Sequence, residues 1–187
     1  MKRLKMELSI RPMTETDALP VSTIVVADYR LLAQREGFSR EQLDRLLAER
    51  STETIVREGW LRQWDCHVAE SGGDVLGALA IEGNDVAELW ICPEHQREGI
   101  GTALFRHAEH SIRKAGHRTL TLRCAARGAA PFYEAMGMQV VDTLLCPDGP
   151  LEGWLLTHYI KDLGEPEGQP ADAEAGAKFK FDLFRGM

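Results

Sequence analysis

The 187-residue chain is long enough for one domain with its own core, without a metal or disulfide staple. Its 22 basic and 29 acidic residues leave a formal charge of −7, which argues against a general binder of nucleic acid or anionic membrane. At 44% hydrophobic and 27% charged it has the composition of a water-soluble globular protein, and no apolar run approaches the ~18 residues of a membrane span.

Glu7–Pro12 alternates apolar and polar residues and predicts a first strand. Thr14 to Gln34 repeats apolar residues at helical spacing (Val21, Ile24, Val25, Tyr29, Leu32), and tolerates Pro20 only if that residue lies in the first turn. Ser39 to Gln42 has a capping-box pattern opening a helix with Leu43, Leu46 and Leu47 on one face, and Thr52–Trp64 predicts a third helix. The period then changes. Cys66–Glu70 and Val75–Glu82 are strand-like around a Ser-Gly-Gly-Asp turn, and Val86–Cys92 follows the turn Gly83-Asn84. Gly99–Ala115 is helical, with Ile100, Ala103, Leu104, Ala108 and Ile112 aligned and Gly116 as terminator. Next come a strand Thr119–Cys124, a short helix Ala129–Met136, a strand Met138–Leu144 and a last strand near Trp154–Ile160.

Composition divides the chain at Lys161: residues 1–161 form the domain, and 162–187 an acidic linker and an aromatic tail. Asp162–Gly176 holds five acids and no base, as a solvated linker would. The final stretch alternates Phe179, Phe181 and Leu183, and reads either as a frayed tail or as an edge strand on this sheet or on a neighbour's in a homodimer. The basic start Met1–Ile10 has no apolar stretch behind it and is not read as a secretory signal. Cys66, Cys92, Cys124 and Cys146 show no close pairing, which suits small core thiols in a reducing cytoplasm rather than a disulfide framework or zinc site.

The chemistry concentrates in Val86–Gly101, VAELWICPEHQREGIG. A strand ending at Pro93, a loop and a helix starting near Gly99 present unpaired N–H groups and the positive end of a helix dipole, a setting for phosphate. A Walker A loop would need Lys-Ser/Thr after its last glycine, where Thr102-Ala103 stands. A dinucleotide fingerprint would need Gly or Ala where Leu104 stands. Gln96-Arg97-Glu98-Gly99-Ile100-Gly101 does match Q/R-x-x-G-x-G/A, and Ala129-Ala130-Pro131-Phe132-Tyr133-Glu134 follows the next strand. In both motifs, and in strand order from about Leu8 to Ile160, the chain resembles the GNAT superfamily of acyl-CoA N-acyltransferases.

The resemblance implies an α/β (α+β) fold, a mixed, mostly antiparallel sheet of six to seven strands flanked by helices and splayed between strands 4 and 5. It implies acetyl-CoA as cosubstrate and no metal. The N–H groups of Arg97, Glu98, Gly99, Ile100, Gly101 and Thr102 are then expected on the CoA diphosphate, with Gln96 and Arg97 adding an amide donor and a cation. The carboxylate of Glu98 receives no ligand role. The backbones of Leu89 and Ile91 are expected to pair with the pantetheine arm, and the Ile91 N–H to meet the oxyanion. Tyr133 matches the family's tyrosine near the thioester sulfur, a general acid for the departing thiolate; the alternative is a packing tyrosine. Phe132 and Met136, four apart, are expected to face the core and leave Tyr133 on another side of its helix.

The catalytic base stays open between Asp85, which shares strand parity with Leu89 and Ile91 unless a bulge intervenes, and Glu88, nearer the cleft but of opposite parity. A third alternative makes both of them solvated carboxylates. Ala126 stands where many family members carry Asn or Ser against the pantetheine. His107 and His110 lack an HExxH context, and His107 is read as a semi-buried packing residue. Tyr29, Phe38, Trp60 and Trp64 come from the third of the chain that walls the acceptor pocket in this fold, though the two tryptophans continue a core face. The function expected is N-acetyl transfer from acetyl-CoA to a primary amine of a small molecule, peptide or protein, by direct transfer in a ternary complex. The alternative is a non-catalytic acyl-CoA-binding regulatory module.

Overall fold

A computed structural model describes residues 7–50, 59–147 and 151–165, with only the backbone at 48–50 and 62. Most of the third predicted helix, together with the linker after Glu165 and the tail with Phe179, Phe181 and Leu183, lies outside the described residues.

Seven strands form one sheet: β1 Ser9–Pro12, β2 Asp65–Ser71, β3 Asp74–Glu82, β4 Asp85–Ile91, β5 Thr119–Cys124, β6 Gln139–Leu145 and β7 Leu155–Asp162, in the order β1-β2-β3-β4-β5-β7-β6. All neighbours are antiparallel except β4 and β5, which run parallel and share the single register pair Asp85↔Thr121. From Val86 onward the two strands part. This is the expected splay, and it opens toward the C-terminal ends of both strands.

The helices are α1 Ala18–Glu36, α2 Arg40–Arg50, α3 Ile100–Lys114 and α4 Ala130–Ala135, with one helical turn at Leu61–Gln63. Pro20 falls in the first turn of α1, where a missing N–H costs nothing. The capping box opening α2 is reciprocal: Gln42 N–H donates to Ser39 Oγ at 3.1 Å, and Ser39 N–H to Gln42 Oε1 at 2.9 Å.

Each face of the sheet carries its own core. Under α3 and α4 lie Leu79, Ile81, Val86, Leu120 and Leu122 with Ile100, Leu104, Phe105, Ala108 and Ile112. Phe105 rather than Ala103 completes the buried stripe of α3. Under α1 and α2 lie Val21, Val25, Tyr29 and Leu46 with Val68, Ala78 and Ala80; Trp60 belongs to this core, and Trp64 packs against it. Gly77 lets α3 come down onto the sheet, since a Cβ there would stand 3.0 Å from Leu104 Cδ1 and from the Trp90 carbonyl, opposite Ile91.

The two cores meet β4 on opposite faces, and here the expected parity fails. The β3–β4 register shifts between Ala80↔Glu88 and Ile81↔Val86, so an extra residue is accommodated in β4. Val86 therefore shares a face with Leu89 and Ile91, while Asp85 turns to the opposite face together with Glu88. The bulge removes the one argument that aligned Asp85 with Leu89 and Ile91.

At the N-terminal edge Arg11 makes a fork to Asp17 (2.7 and 2.8 Å) and a bond to Glu70 (2.8 Å), tying β1 and the turn before α1 to β2. The Arg11 fork, helped by Thr14 and opposed by burial, lowers the Asp17 carboxyl to about 2. A carboxyl below its unfolded value of ~3.9 stabilises the fold above that pH and loses the contribution as pH falls through ~2. Asp17→Asn is thus expected to remove about 2 kcal/mol of stability at neutral pH and to flatten the stability–pH curve between pH ~4 and ~2. Denaturant titrations at a series of acid pH values check this; an unchanged slope would refute it.

β7 continues through Asp162, and Leu163 after it is buried, its N–H donating to the Arg118 carbonyl at 2.8 Å. Lys161 Nζ donates to Glu109 on α3 and to the Met136 carbonyl behind α4. The sheet therefore extends slightly past the point where the composition changes.

Candidate active site

The loop between β4 and α3 makes a 3-10 turn at Pro93–His95 and then enters α3 through two left-handed residues, Arg97 (φ 68°) and Gly99 (φ 90°, ψ 0°). Left-handed backbone suits glycine and costs other residues about 1–2 kcal/mol, so the loop conformation depends on Gly99. Ala103 N–H makes the first helical bond, to the Gly99 carbonyl at 3.0 Å. None of the N–H groups from Arg97 to Thr102 donates to another described residue. Six consecutive donors at the positive end of a fifteen-residue helix form an anion cradle.

The Gln96 side chain is spent elsewhere. Its Nε2 donates to Asp28 Oδ1 at 2.7 Å and its Oε1 accepts from Arg35 Nη1 at 3.4 Å, so it ties the loop to α1 rather than turning toward an anion. Burial raises the Asp28 carboxyl above its usual range, and the Gln96 bond opposes that. Glu98 Oε2 lies 3.0 Å from His95 Nδ1. Asp28→Ala frees Gln96 and is expected to weaken CoA binding about fivefold, with kcat at saturation nearly unchanged. Calorimetry with CoA beside steady-state rates separates the two.

The backbone of β4 supplies the next element. Cys92 N–H donates to the Leu76 carbonyl of β3 at 2.8 Å, so by alternation the peptide groups of Leu89 and Ile91 point away from β3, into the splay. Across the splay, Tyr133 of α4 is buried in the core under α3, touching Phe105, Phe132 and Tyr159. The predicted separation of Tyr133 from Phe132 and Met136 does not hold: Tyr133 is buried in the same core against which Phe132 and Met136 pack. The Tyr133 hydroxyl lies near the Cys124 thiol at the end of β5. Cys124 Sγ donates to the Ala126 carbonyl at 3.6 Å. Burial pushes the Tyr133 hydroxyl well above 10, with smaller contributions from Cys124, Tyr159 and Glu88.

Glu88 is buried in the middle of β4, where its Oε2 accepts from Trp90 Nε1 at 2.7 Å; Trp90 packs on Tyr29 with ring centroids 4.6 Å apart. Asp85 stands at the closed end of the splay, holding β5 through Thr121 Oγ1 at 2.7 Å. Burial raises its carboxyl. A strand of this length separates it from Ile91 by about 20 Å. Leu89 and Ile91 lead along β4 into the loop, Glu88 lies on the other face of that strand, Tyr133 lies in the core under α3, and Asp85 stands at the far end of β4.

Composition gives no sign of a strap across the open end of the splay. Glu36 Oε1, at the end of α1, accepts from Gly128 N–H at 2.9 Å. Phe38 meets Trp154 edge-on at 4.1 Å, and the Arg127 guanidinium lies 6.0 Å above the same indole.

A family model described as an acetyltransferase (GNAT) domain matches residues 62–140, from the turn before β2 into β6. Residues 62–140 thus carry a GNAT acetyltransferase domain. It is 29% identical over 104 residues, 55% of this chain and 69% of the other, to the peptidyl-lysine N-acetyltransferase YiaC of Escherichia coli (strain K12). In fold it is similar to a GCN5-related N-acetyltransferase from Rhodopseudomonas palustris (TM-score 0.71, 19% identity, 86% of this chain and 99% of that one). The PaiA N-acetyltransferase from Thermoplasma acidophilum, solved with coenzyme A, is similar as well (TM-score 0.68, 20% identity, 82% and 98%).

The chain carries a histidine pair outside the splay. His107 Nε2 on α3 lies 3.1 Å from His67 Nδ1 on β2, and burial lowers the His107 ring below its usual value. Among the described residues no group of three or more His, Cys, Asp or Glu could hold a metal, and no helix is long and apolar enough to cross a membrane. Asp28, Arg35, Glu36, Trp90, Arg127 and Trp154 escaped sequence reasoning. The one local signal was the helical spacing that put Asp28 and Arg35 near each other, seven apart on α1.

Proposed function

We propose that this GNAT enzyme moves an acetyl group from acetyl-CoA directly to a primary amine of a small molecule or peptide in a ternary complex. The reading rests above all on the six unspent N–H donors from Arg97 to Thr102, beside the free backbone of Leu89 and Ile91. The diphosphate takes the donors, and the pantetheine arm pairs with the β4 edge where β5 has turned away. Ala126 offers this arm no side-chain donor, so its binding depends on backbone.

Acetyl-CoA supplies an activated thioester; the protein supplies position and proton handling. An alkyl ammonium with a pKa of about 10 is disfavoured as the neutral nucleophile by roughly 4 kcal/mol near pH 7. Glu88, buried at the centre of β4 on the α1 side, takes the surplus proton through water. Ile91 N–H meets the oxyanion. The Tyr133 hydroxyl, buried near the Cys124 sulfur, donates to the CoA sulfur as the C–S bond breaks. The acceptor enters from the α1 side, past Tyr29, Trp90 and the Glu36–Gly128 strap. The acids Glu36 and Glu88 on that side favour a cation, and the YiaC relative, a peptidyl-lysine acetyltransferase, makes lysine peptides the first acceptors to try.

The test is calorimetric titration with acetyl-CoA followed by a free-thiol assay over lysine peptides, polyamines, aminoglycosides and amino acids. Saturable binding with amine-dependent thiol release is the expected result. Absence of binding at millimolar acetyl-CoA would overturn the proposal, and tight binding without thiol release across the panel would favour an acyl-CoA-binding module.

A further inference from the structure

Among the described residues β6 closes the sheet with a free outer edge. Natural sheet edges are guarded by charge or proline, because bare N–H and C=O groups invite another strand. On this edge one charge, Asp142, stands beside a bulge at Val141, and the other side chains are largely apolar and open: Val140 is 56% exposed, Leu144 49% and Leu145 62%, with Val141 and Leu155 similarly uncovered. By register, Val140, Thr143 and Leu145 lie on the face of Tyr159, Thr157 and Leu155. That face borders a cleft of about 240 Å³, closed on its other side by Cys124–Arg127 and Ala130. The six-residue α4 is too short to cover it.

We propose that Lys178–Leu183 of the same chain adds to the outer edge of β6 as an eighth strand. Its alternation puts Phe179, Phe181 and Leu183 on one face and Lys178, Lys180 and Asp182 on the other. In one register the three apolar residues extend over the cleft beside Val140, Leu145 and Leu155. The two lysines then fall on the opposite face, which carries Asp142 and Leu144. The segment has the bases that the acidic linker before it lacks, in a chain of net charge −7. Chain length allows the closure: the twelve residues 166–177 span up to about 40 Å, and β6 is about 23 Å long. The tail therefore reaches either end of its own β6 from the end of β7, and tethering gives it an advantage over a second copy. The inference is independent of the acetyl-transfer chemistry.

Hydrogen exchange on the full chain, compared with the F179S/F181S variant, tests it, with light scattering for mass. The expected result is a monomer in which the outward amides of Gln139–Leu145 lose protection by about tenfold or more in the variant, while Ala78–Ala80 in β3 are unaffected. Equal protection of β6 in both proteins would overturn the proposal. So would a dimer in the full chain that the variant abolishes, which would make the occupant a second copy.

Discussion

Tyr133→Phe is expected to lower kcat by about 100-fold or more while leaving CoA affinity within about threefold. The substitution removes one oxygen and keeps the ring against Phe105, Phe132 and Tyr159, so the core that positions α4 survives. What is lost is the donor that stands beside Cys124 at the open end of the splay. Burial raises this hydroxyl well above 10, so it stays an O–H through the neutral range. It is then a weaker acid than a thiol of pKa about 8.5, and its contribution is a hydrogen bond to the charge building on sulfur rather than outright proton loss. The rate is accordingly expected to show no loss from tyrosine ionisation up to pH about 10. Single-turnover rates beside CoA titrations check the split; an unchanged kcat would return Tyr133 to a packing role.

Gly99→Val is expected to weaken CoA binding by about 100-fold, and Gly101→Ala by no more than a few-fold. The pair separates backbone conformation from space. Gly99 sits at φ 90°, and a Cβ there meets nothing within 4 Å, so the penalty of a side chain is backbone strain. A valine drives the residue out of the left-handed region and swings the amides before and after it out of alignment. At Gly101, inside α3, a Cβ finds ordinary contacts at 3.6 Å to Phe132 and 3.7 Å to Ile91. Alanine also favours the helix over glycine by about 1 kcal/mol, so the melting temperature of Gly101→Ala should hold or rise. Gly99→Val should lose several degrees, since about 2 kcal/mol shifts a domain of this size by roughly 4–8 °C. Equal CoA affinities for the two variants would show that the loop conformation does not govern anion binding.

Local pattern carried much of this molecule. The capping box at Ser39 and Gln42, Pro20 in a first turn and the stripe of α3, apart from Phe105 in place of Ala103, are effects of residues within a turn or two of one another, and they formed as their spacing required. The Gln96–Gly101 motif falls in the same class, because a loop that must enter a helix through a left-handed residue announces itself by a glycine. The parity of Asp85 was different. Alternation along β4 was read correctly up to the bulge, and whether a strand takes an extra residue depends on what the neighbouring strand offers across Ala80 and Ile81. The Gln96 amide was misjudged for a similar reason: its partner Asp28 lies 68 residues away on α1, and nothing near Gln96 reveals it.

By itself the sequence determined the class of fold, the order of its strands and helices, the glycine-bearing loop that opens α3, and a tyrosine on the short helix beyond. These follow from contacts among neighbours, which any stretch of chain expresses wherever it is placed. Only the tertiary structure decided which face of β4 carries Asp85, what the Gln96 side chain holds, and that Glu36 meets Gly128 while Phe38 and Arg127 meet Trp154. Those choices depend on register and on the packing of distant segments, where one extra residue in a strand turns a side chain to the other face of the sheet.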